Sequence, residues 1–388
     1  MAFQKFSADQ LFDGYQFHTG DNVLVLSDEG EVLDIVDKSE AGDDVIVRNG
    51  ILSPGFINCH CHLELSHMKA AIEEGTGLVD FVYKIVSLRH SSEDEIRAAI
   101  EKAEDEMLQN GIVAVGDICN NTLTLDQKSK GRIYYHNFIE VSGFNPAIAN
   151  ERFNRSVEFF RAFSQYYSIP VESNSIVPHA PYSVAEELWQ QLVHFPGNHL
   201  FTIHNQETEE EDILFATGEG GFRELYKKMG IDISFFQPSQ KSSLQTFLPK
   251  FLHNQQLILV HNVHTTEKDI AFSRSVANSS QLYWCLCPNA NLYISKRLPD
   301  ISMLVNNDCP IILGTDSLAS NHQLSILEEI KTIRQHFPQV ETNTLLQWAT
   351  SNGAKALQMD SILGSFEKGK RPGVVLIEND LSAVQRLA

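Results

Sequence analysis

The chain has 388 residues, enough to bury a large core in one to three domains, and its composition is ordinary for a globular protein. Fifty acidic against 30 basic residues leave a net charge of −20, which argues against a nucleic-acid backbone or an anionic membrane as partner, because both require a basic surface. No stretch approaches the roughly 20 apolar residues of a membrane span, and Met1-Ala2-Phe3-Gln4-Lys5 lacks the apolar region of a signal peptide, so the cytoplasm is the expected location.

Residues 11–50 alternate apolar and polar side chains around a turn at Ser27-Asp28-Glu29-Gly30, the pattern of short strands. Next comes Gly55-Phe56-Ile57-Asn58-Cys59-His60-Cys61-His62, where the period of two sends both imidazoles to one face and both thiols to the other. From there apolar runs alternate with amphipathic stretches. Strands are expected at 55–60, 111–118, 132–141, 174–179, 200–204, 257–261, 281–286 and 311–315. Helices are expected at 93–109, 151–166, 185–194, 267–278 and 323–336, the clearest being 93–109, opened by the capping-box pair Ser92 and Glu95 and closed by Asn110-Gly111.

Eight strand units in series predict an α/β fold, a (β/α)8 TIM barrel over residues 51–362, rather than an open sheet. The tail Lys370-Arg371-Pro372-Gly373-Val374-Val375-Leu376-Ile377 reads as one more strand after a turn. Segments 1–50 and 363–388 are therefore expected to form a small composite β-sandwich domain. Residues 208–250 hold the acidic run Glu209-Glu210-Glu211-Asp212 and Gly218, Gly220 and Gly221. A stretch of that length inside a domain is expected to be functional or partly helical, and it reads as a substrate-covering segment.

Four strand ends carry residues that bind or work beside a divalent metal: His60 with His62, His204 with Glu207, His261, and Asp316. Polar groups at the carboxyl ends of buried parallel strands are where a barrel enzyme keeps its site. His60, His62, His204 and Asp316 can supply ligands, while Glu207 suits a general acid and base, and His261 and Asp316 can hold or deprotonate a water. Cys59, Cys61, Cys119, Cys285, Cys287 and Cys309 lie mostly in predicted strands and read as reduced buried thiols. The Cys-x-Cys pairs lack the loop of a thiolate zinc site.

Six segments carry a resemblance: Pro54 to His62, Val177-Pro178-His179-Ala180-Pro181-Tyr182-Ser183, Ile203-His204-Asn205-Gln206-Glu207-Thr208, Val260-His261-Asn262-Val263-His264, Cys287-Pro288-Asn289-Ala290-Asn291-Leu292 and Gly314-Thr315-Asp316-Ser317-Leu318-Ala319-Ser320-Asn321. In that order they resemble the motifs of the amidohydrolase superfamily, most closely its aminohydrolase branch, which includes S-adenosylhomocysteine, guanine and aminodeoxyfutalosine deaminases. The resemblance spans nearly the whole chain. It implies a barrel with a β-sandwich flank, one divalent ion (zinc, with iron as the alternative), and hydrolysis at a ring carbon bearing an exocyclic amine. It makes His60, His62, His204 and Asp316 the metal ligands and Glu207 the proton shuttle. His261 would orient the attacking water with Asp316, and His179 would face the substrate. A binuclear relative would place a carboxylated lysine near the fourth strand end. None lies between Asn174 and Val184, which favours one metal. Two departures from the motifs stand out: Gly369 to Val374 lacks an alanine-aspartate pair common in that turn, and Ala290 stands where serine is common.

Other polar residues have plainer readings. Glu64 is assigned to the loop after the first strand, His264 to a hydrogen-bonding role outside the ligand set, and His67, His136 and His322 likewise. Lys296 and Arg297 read as solvated, as does the acidic run, in which Glu211 is set apart by falling one turn beyond Glu207. The expected function is a metal-dependent deaminase releasing ammonia from an aminated heterocycle, of the aminodeoxyfutalosine or 5′-modified adenosine type. The partner would be that small molecule, with homo-oligomerisation left open. Alternatives are a guanine or pterin deaminase, a hydrolase of a cyclic amide or chloro-substituted ring, and, from another class, a non-catalytic binding barrel, which would be expected to have lost ligands.

Overall fold

The computed structural model describes residues 3–166, 173–276 and 281–388. In chain order the strands are β1 (Phe3–Ser7), β2 (Gln10–Leu11), β3 (Asn22–Ser27), β4 (Val32–Asp37), β5 (Ile46–Val47), β6 (Ile51–Pro54), β7 (Phe56–Cys61) and β8 (Ile112–Cys119), then β9 (Tyr134–Val141), β10 (Asn174–Pro178), β11 (Leu200–Asn205), β12 (Gln256–His261), β13 (Leu282–Leu286), β14 (Ile311–Leu313), β15 (Val374–Ile377) and β16 (Val384–Arg386). The eight expected central strands are β7 to β14, each displaced from its expected bounds by two residues or fewer. Their residues are almost all buried, which is why they read as continuous apolar runs rather than alternating ones.

These strands form two parallel sheets, ordered β10-β9-β8-β7 and β11-β12-β13-β14. The sheets meet at both edges. At one, the His204 amide donates to the His179 carbonyl at 3.0 Å; at the other, the amides of Thr315 and Asp316 both donate to the His60 carbonyl at 3.0 Å. Gly314 permits the second junction, since a Cβ there would stand 2.8 Å from His60 Cβ and 3.0 Å from Cys285 Sγ.

The terminal segments make two further sheets, β4-β3-β1-β5 and β16-β15-β6-β2, so that β15 from the tail pairs antiparallel with β6. Only Gly55 separates β6 from β7. A Cβ at Gly55 would fall 2.3 Å from Val113 Cγ1 and 2.8 Å from the Pro372 carbonyl, so the chain passes between the two parts through a gap that fits glycine alone.

Helix Glu93–Gln109 has both halves of its capping box. Helices Ala149–Tyr166, Glu186–Val193, Glu267–Val276 and Ile326–His336 also stand near their expected places, and positions 277–278 of the fourth prediction lie outside the described residues. Helix Leu78–Leu88 was not foreseen. Its β-branched residues Val79, Val82, Ile85 and Val86 blur the helical signal, and it starts at Gly77 without a side-chain cap.

The 208–250 stretch is partly helical, with Glu209–Thr217, Gly221–Lys228 and Ser243–Phe247. Leu214, Phe215, Phe222 and Tyr226 from it share an apolar cluster with Phe81, Phe144 and Tyr182, including a stacked Tyr182–Phe222 pair with ring centroids 3.9 Å apart. Among the described residues no helix is long and apolar enough to cross a membrane.

Candidate active site

The strand ends bring His60, His62, His204 and Asp316 together, with one donor atom from each lying within 4.8 Å of the others. Asp316 Oδ1 stands 3.6 Å from His60 Nε2 and 3.5 Å from His62 Nε2, and His62 Nε2 is 3.4 Å from His204 Nε2. Two of the ligand candidates are held from behind. His204 Nδ1 donates to the His179 carbonyl at 2.8 Å, leaving the Nε2 lone pair free, and Ser320 Oγ donates to Asp316 Oδ2 at 2.6 Å, leaving Oδ1 turned to the histidines.

Burial lowers the imidazole pKa values, to about 4 for His62 and well below the usual value for His204, so both rings are neutral and able to ligate at physiological pH. Burial acts to raise Asp316, but the His60 ring beside it, with the imidazoles of His62 and His261, outweighs burial and holds the carboxyl well below its ordinary range. Both ring nitrogens of His60 and Nε2 of His261 have no hydrogen-bond partner among the described residues, although they are fully buried. An unsatisfied buried polar atom costs about 1–3 kcal/mol. Three imidazoles and a carboxylate converging on one point, with orphaned nitrogens among them, fit a divalent cation.

Glu207 and His261 face one another beside this cluster, with 3.6 Å between Glu207 Oε2 and His261 Nε2. Asn291 Nδ2 donates to His261 Nδ1 at 3.0 Å, which puts the ring proton on Nε2, toward Glu207 and the cluster. Burial and then the charges of Asp316 and Glu211 push the Glu207 pKa well above the usual carboxylate value, so it carries a proton that it can donate. The backbone bends sharply at these points: Gln206, His261, Asn262 and Asp316 all have positive φ, between 45° and 76°, without being glycine.

His179 lies at the end of β10 on the same cavity, its Nδ1 2.8 Å from Glu140 Oε2. Against the effect of burial, the pair keeps itself ionised: His179 is raised by the Glu140 carboxylate, and Glu140 is lowered to about 2 by His179. Glu140, His179 and His204 also bring donor atoms within 4.8 Å. The ion pair between the first two already satisfies them.

Glu64 is in the short 3-10 helix Leu63–Met68 and, though assigned to a loop by its sequence, is buried on the cavity wall, where its carboxylate accepts the Asn120 amide at 3.0 Å. Burial raises it to about 8. The acidic run is less solvated than its composition suggests, because Glu211 is buried and accepts the Gln206 amide at 3.1 Å, bracing the turn that presents Glu207.

The remaining histidines stand outside the cluster. His264 is half-buried, His67 bonds the Glu64 and Arg89 carbonyls, His136 bonds Ser175, and exposed His322 pairs with Glu74, as does Lys296. Among the described residues no cysteine joins a metal-binding group.

Glu140, Ser320, the bracing role of Asn291, and the buried Asp117–Lys128 pair, 2.5 Å apart, were missed in the sequence. Asp117 also accepts the Leu63 amide and so fixes the turn after His62. Apart from Ser320, four positions from Asp316, each acts through a partner at least 11 residues away; Asp117 and Glu140 offered a signal in their end-of-strand positions, and Asn291 and Ser320 in the motif segments that hold them.

The cavity over this floor measures about 840 Å³. Known proteins resemble this chain over most of its length. The aminodeoxyfutalosine deaminase of a Nitratiruptor species is 27% identical over 343 residues, covering 85% of this chain and 80% of the relative. A crystal structure of Helicobacter pylori aminofutalosine deaminase with methylthio-coformycin superposes with a TM-score of 0.84 at 20% identity, over 97% of this chain and 92% of that one. An adenosine deaminase from Xanthomonas campestris with bound zinc gives a TM-score of 0.71 at 20% identity, over 97% and 84%. The model of the amidohydrolase family matches residues 51–386, the span that contains every residue of the cluster, and the chain belongs to that family.

Proposed function

We propose that the protein is a metal-dependent hydrolytic deaminase of an adenosine-type nucleoside derivative, releasing ammonia. The observation that carries the reading is the convergence of His60, His62, His204 and Asp316 beside the protonated Glu207 and the Nε2 proton of His261. The fold proposed around it is a closed (β/α)8 barrel, supported by the hydrogen bonds across both edges of the two parallel sheets. Segments 1–50 and 363–388 would form the β-sandwich flank, with β6 at the junction. The 208–250 stretch covers the site.

One divalent ion, zinc by the donor set and by the zinc-bound relative, would be held by His60, His62, His204 and Asp316. When bound it would supply Lewis acidity toward water, making that water a nucleophile at neutral pH. The chain's own residues do the rest. Glu207 donates its proton to the ring nitrogen of an N=C–NH2 unit, which makes the neighbouring carbon electrophilic. His261, its tautomer fixed by Asn291, directs its Nε2 proton at the incoming water oxygen and orients it. Glu207 then carries one water proton to the amine, which departs as ammonia, and takes up the remaining hydroxyl proton as the carbonyl forms, so that the ring is left as the lactam and Glu207 is again protonated. His179, held charged by Glu140, faces the substrate. The nucleoside reading draws on the named relatives and on a cavity near the upper end of the roughly 300–1,000 Å³ range of ligand sites, larger than a bare pyrimidine needs.

Metal-replete protein should release one ammonia per adenosine derivative turned over, with the ultraviolet change of adenine to hypoxanthine. Guanine, pterins and cyclic amides form the comparison panel. Ammonia from guanine or a pterin alone would replace the nucleoside reading, and hydrolysis of a lactam with no ammonia from any amidine would end the deaminase reading.

A further inference from the structure

Helix Ile326–His336 turns Ile326, Leu327, Ile330 and Ile333 to the core. The same face carries Glu329, a fully buried carboxyl where the helical period calls for one more apolar side chain. Burying such a group is unfavourable unless its oxygens find donors. Both do: Oε2 accepts the Asn289 backbone amide at 2.9 Å, and Oε1 accepts Asn321 Nδ2 at 2.9 Å. The two donors lie in different segments, Asn289 after β13 and Asn321 after β14. One segment supports His261, which directs a proton at the incoming water, and the other carries Asp316.

The first segment opens helix Pro288–Ser295. Its N-cap, Cys287, makes no side-chain hydrogen bond into the first turn, and Pro288 has no N–H to offer. Asn289 is therefore the first amide of the helix that needs an acceptor, and Glu329 supplies it from 40 positions away. Thr332, on the same helix as Glu329, adds a second tie by donating to Asn289 Oδ1 at 2.5 Å. Two residues on, Asn291 donates to His261 Nδ1. The Asn291 Oδ1 atom is buried with no hydrogen-bond partner among the described residues, so the aim of this amide at His261 depends on where the helix backbone stands. In the second segment, Asn321 Nδ2 also donates to the Thr315 carbonyl at 2.9 Å. That bond closes the loop around Ser320, whose hydroxyl aims Asp316.

We propose that Glu329 is a positioning residue that ties the support of His261 to the loop of Asp316, so that the two groups keep one relative placement beside the substrate. Its consequence for turnover rests on the deaminase reading. Glu329 does not line the cavity, and it acts only through Asn289 and Asn321. A shift of either segment would leave substrate contacts in place and spoil the alignment of the water, which is the kind of error that lowers kcat.

Two variants test this in zinc-replete protein. Glu329→Leu removes both acceptors while suiting the apolar face, and Glu329→Gln keeps one acceptor and turns an amide NH2 toward the other donor. Ammonia release from an adenosine derivative should show kcat reduced about 10²-fold by Leu and about tenfold by Gln, with KM changed less than about twofold. The loss should also be non-additive: in an Asn291→Ala background, Glu329→Leu should cost at least about threefold less than it does alone, which a general loosening of the fold would not produce. The His261 tautomer gives a readout free of turnover. Nitrogen NMR of isotope-labelled protein should place the ring proton on Nε2 in the unaltered chain and shift it wholly or partly to Nδ1 in Glu329→Leu. Unchanged kcat, a loss carried by KM, full additivity with Asn291→Ala, or an unmoved ring proton would each overturn the proposal. Should Glu329→Leu not fold, Glu329→Gln carries the same comparisons. If the unaltered chain releases no ammonia from any adenosine compound, the deaminase reading has failed, and the tautomer alone then decides: a proton displaced by the variant sustains the positioning role, and one that stays on Nε2 rejects it.

Discussion

His204 and Glu207 are three residues apart and do different work. The first turns a lone pair to the cluster because its other nitrogen donates to a carbonyl; the second keeps a proton because burial disfavours its charge. Substitution should separate them. His204→Ala should lower bound metal from about one equivalent and activity together, whereas Glu207→Gln keeps the shape but cannot pass a proton, so metal stays and kcat falls about 10²-fold or more. Elemental analysis beside turnover decides this, and equal metal loss in both would make Glu207 a ligand. Residues of this kind were legible because strand ends concentrate them. Glu140 and Ser320 were not, since what matters in each is the direction of one oxygen toward a side chain 39 or 4 positions away.

At the scale of elements, the approach of β14 to β7 depends on a missing side chain. A Cβ on Gly314 would press on His60 Cβ at 2.8 Å and on the His60 amide at 3.0 Å, backbone included, so no rotamer change relieves it. Gly314→Ala should therefore displace His60, weakening metal retention during dialysis against a chelator and lowering the thermal midpoint by several degrees, consistent with an overpacking cost of about 1–3 kcal/mol. Unchanged retention would mean that the two strands can move apart without disturbing the ligand. The eight central strands were legible because burial on both faces leaves an apolar run whatever the neighbours are. The helices of 208–250 were harder to see: Gly218, Gly220 and Gly221 read as loop, yet Gly218 is the left-handed cap of one helix and Gly220 the cap preceding the next.

The whole molecule stores several buried carboxyl groups. Glu64, Glu211 and Glu329 are each pushed up to about 8 by burial, so the folded state binds protons there that the unfolded chain releases near pH 4.5. That contribution is complete below about pH 4.5 and is lost as pH rises toward and through 8, so the thermal midpoint should fall between pH 6 and pH 9. Glu140, held at about 2, acts in the opposite sense and loses its contribution on strong acidification. Glu211→Gln mimics the protonated group, so the fall between pH 6 and pH 9 should be shallower than in the unaltered chain, by roughly 2 °C or more in scanning fluorimetry. Parallel curves would show that Glu211 ionises freely in the folded protein. This arrangement was invisible in a composition that counts 50 acidic residues as surface charge.

The carbonyls of His179 and His60 receive the hydrogen bonds at the two edges where the parallel sheets meet, and the proposed ligands are shared between those sheets: His60 on β7 and His62 just after it on one side, His204 on β11 and Asp316 just after β14 on the other. A single ion would therefore cross-link the first half of the central fold, residues 56–178, to the second half, 200–316, at the rim where each sheet ends. Its binding energy would count toward cohesion between halves as well as toward chemistry. Chelation should then loosen the molecule along that one plane before it unfolds anything else, and selection for stability alone would be enough to keep these histidines in place.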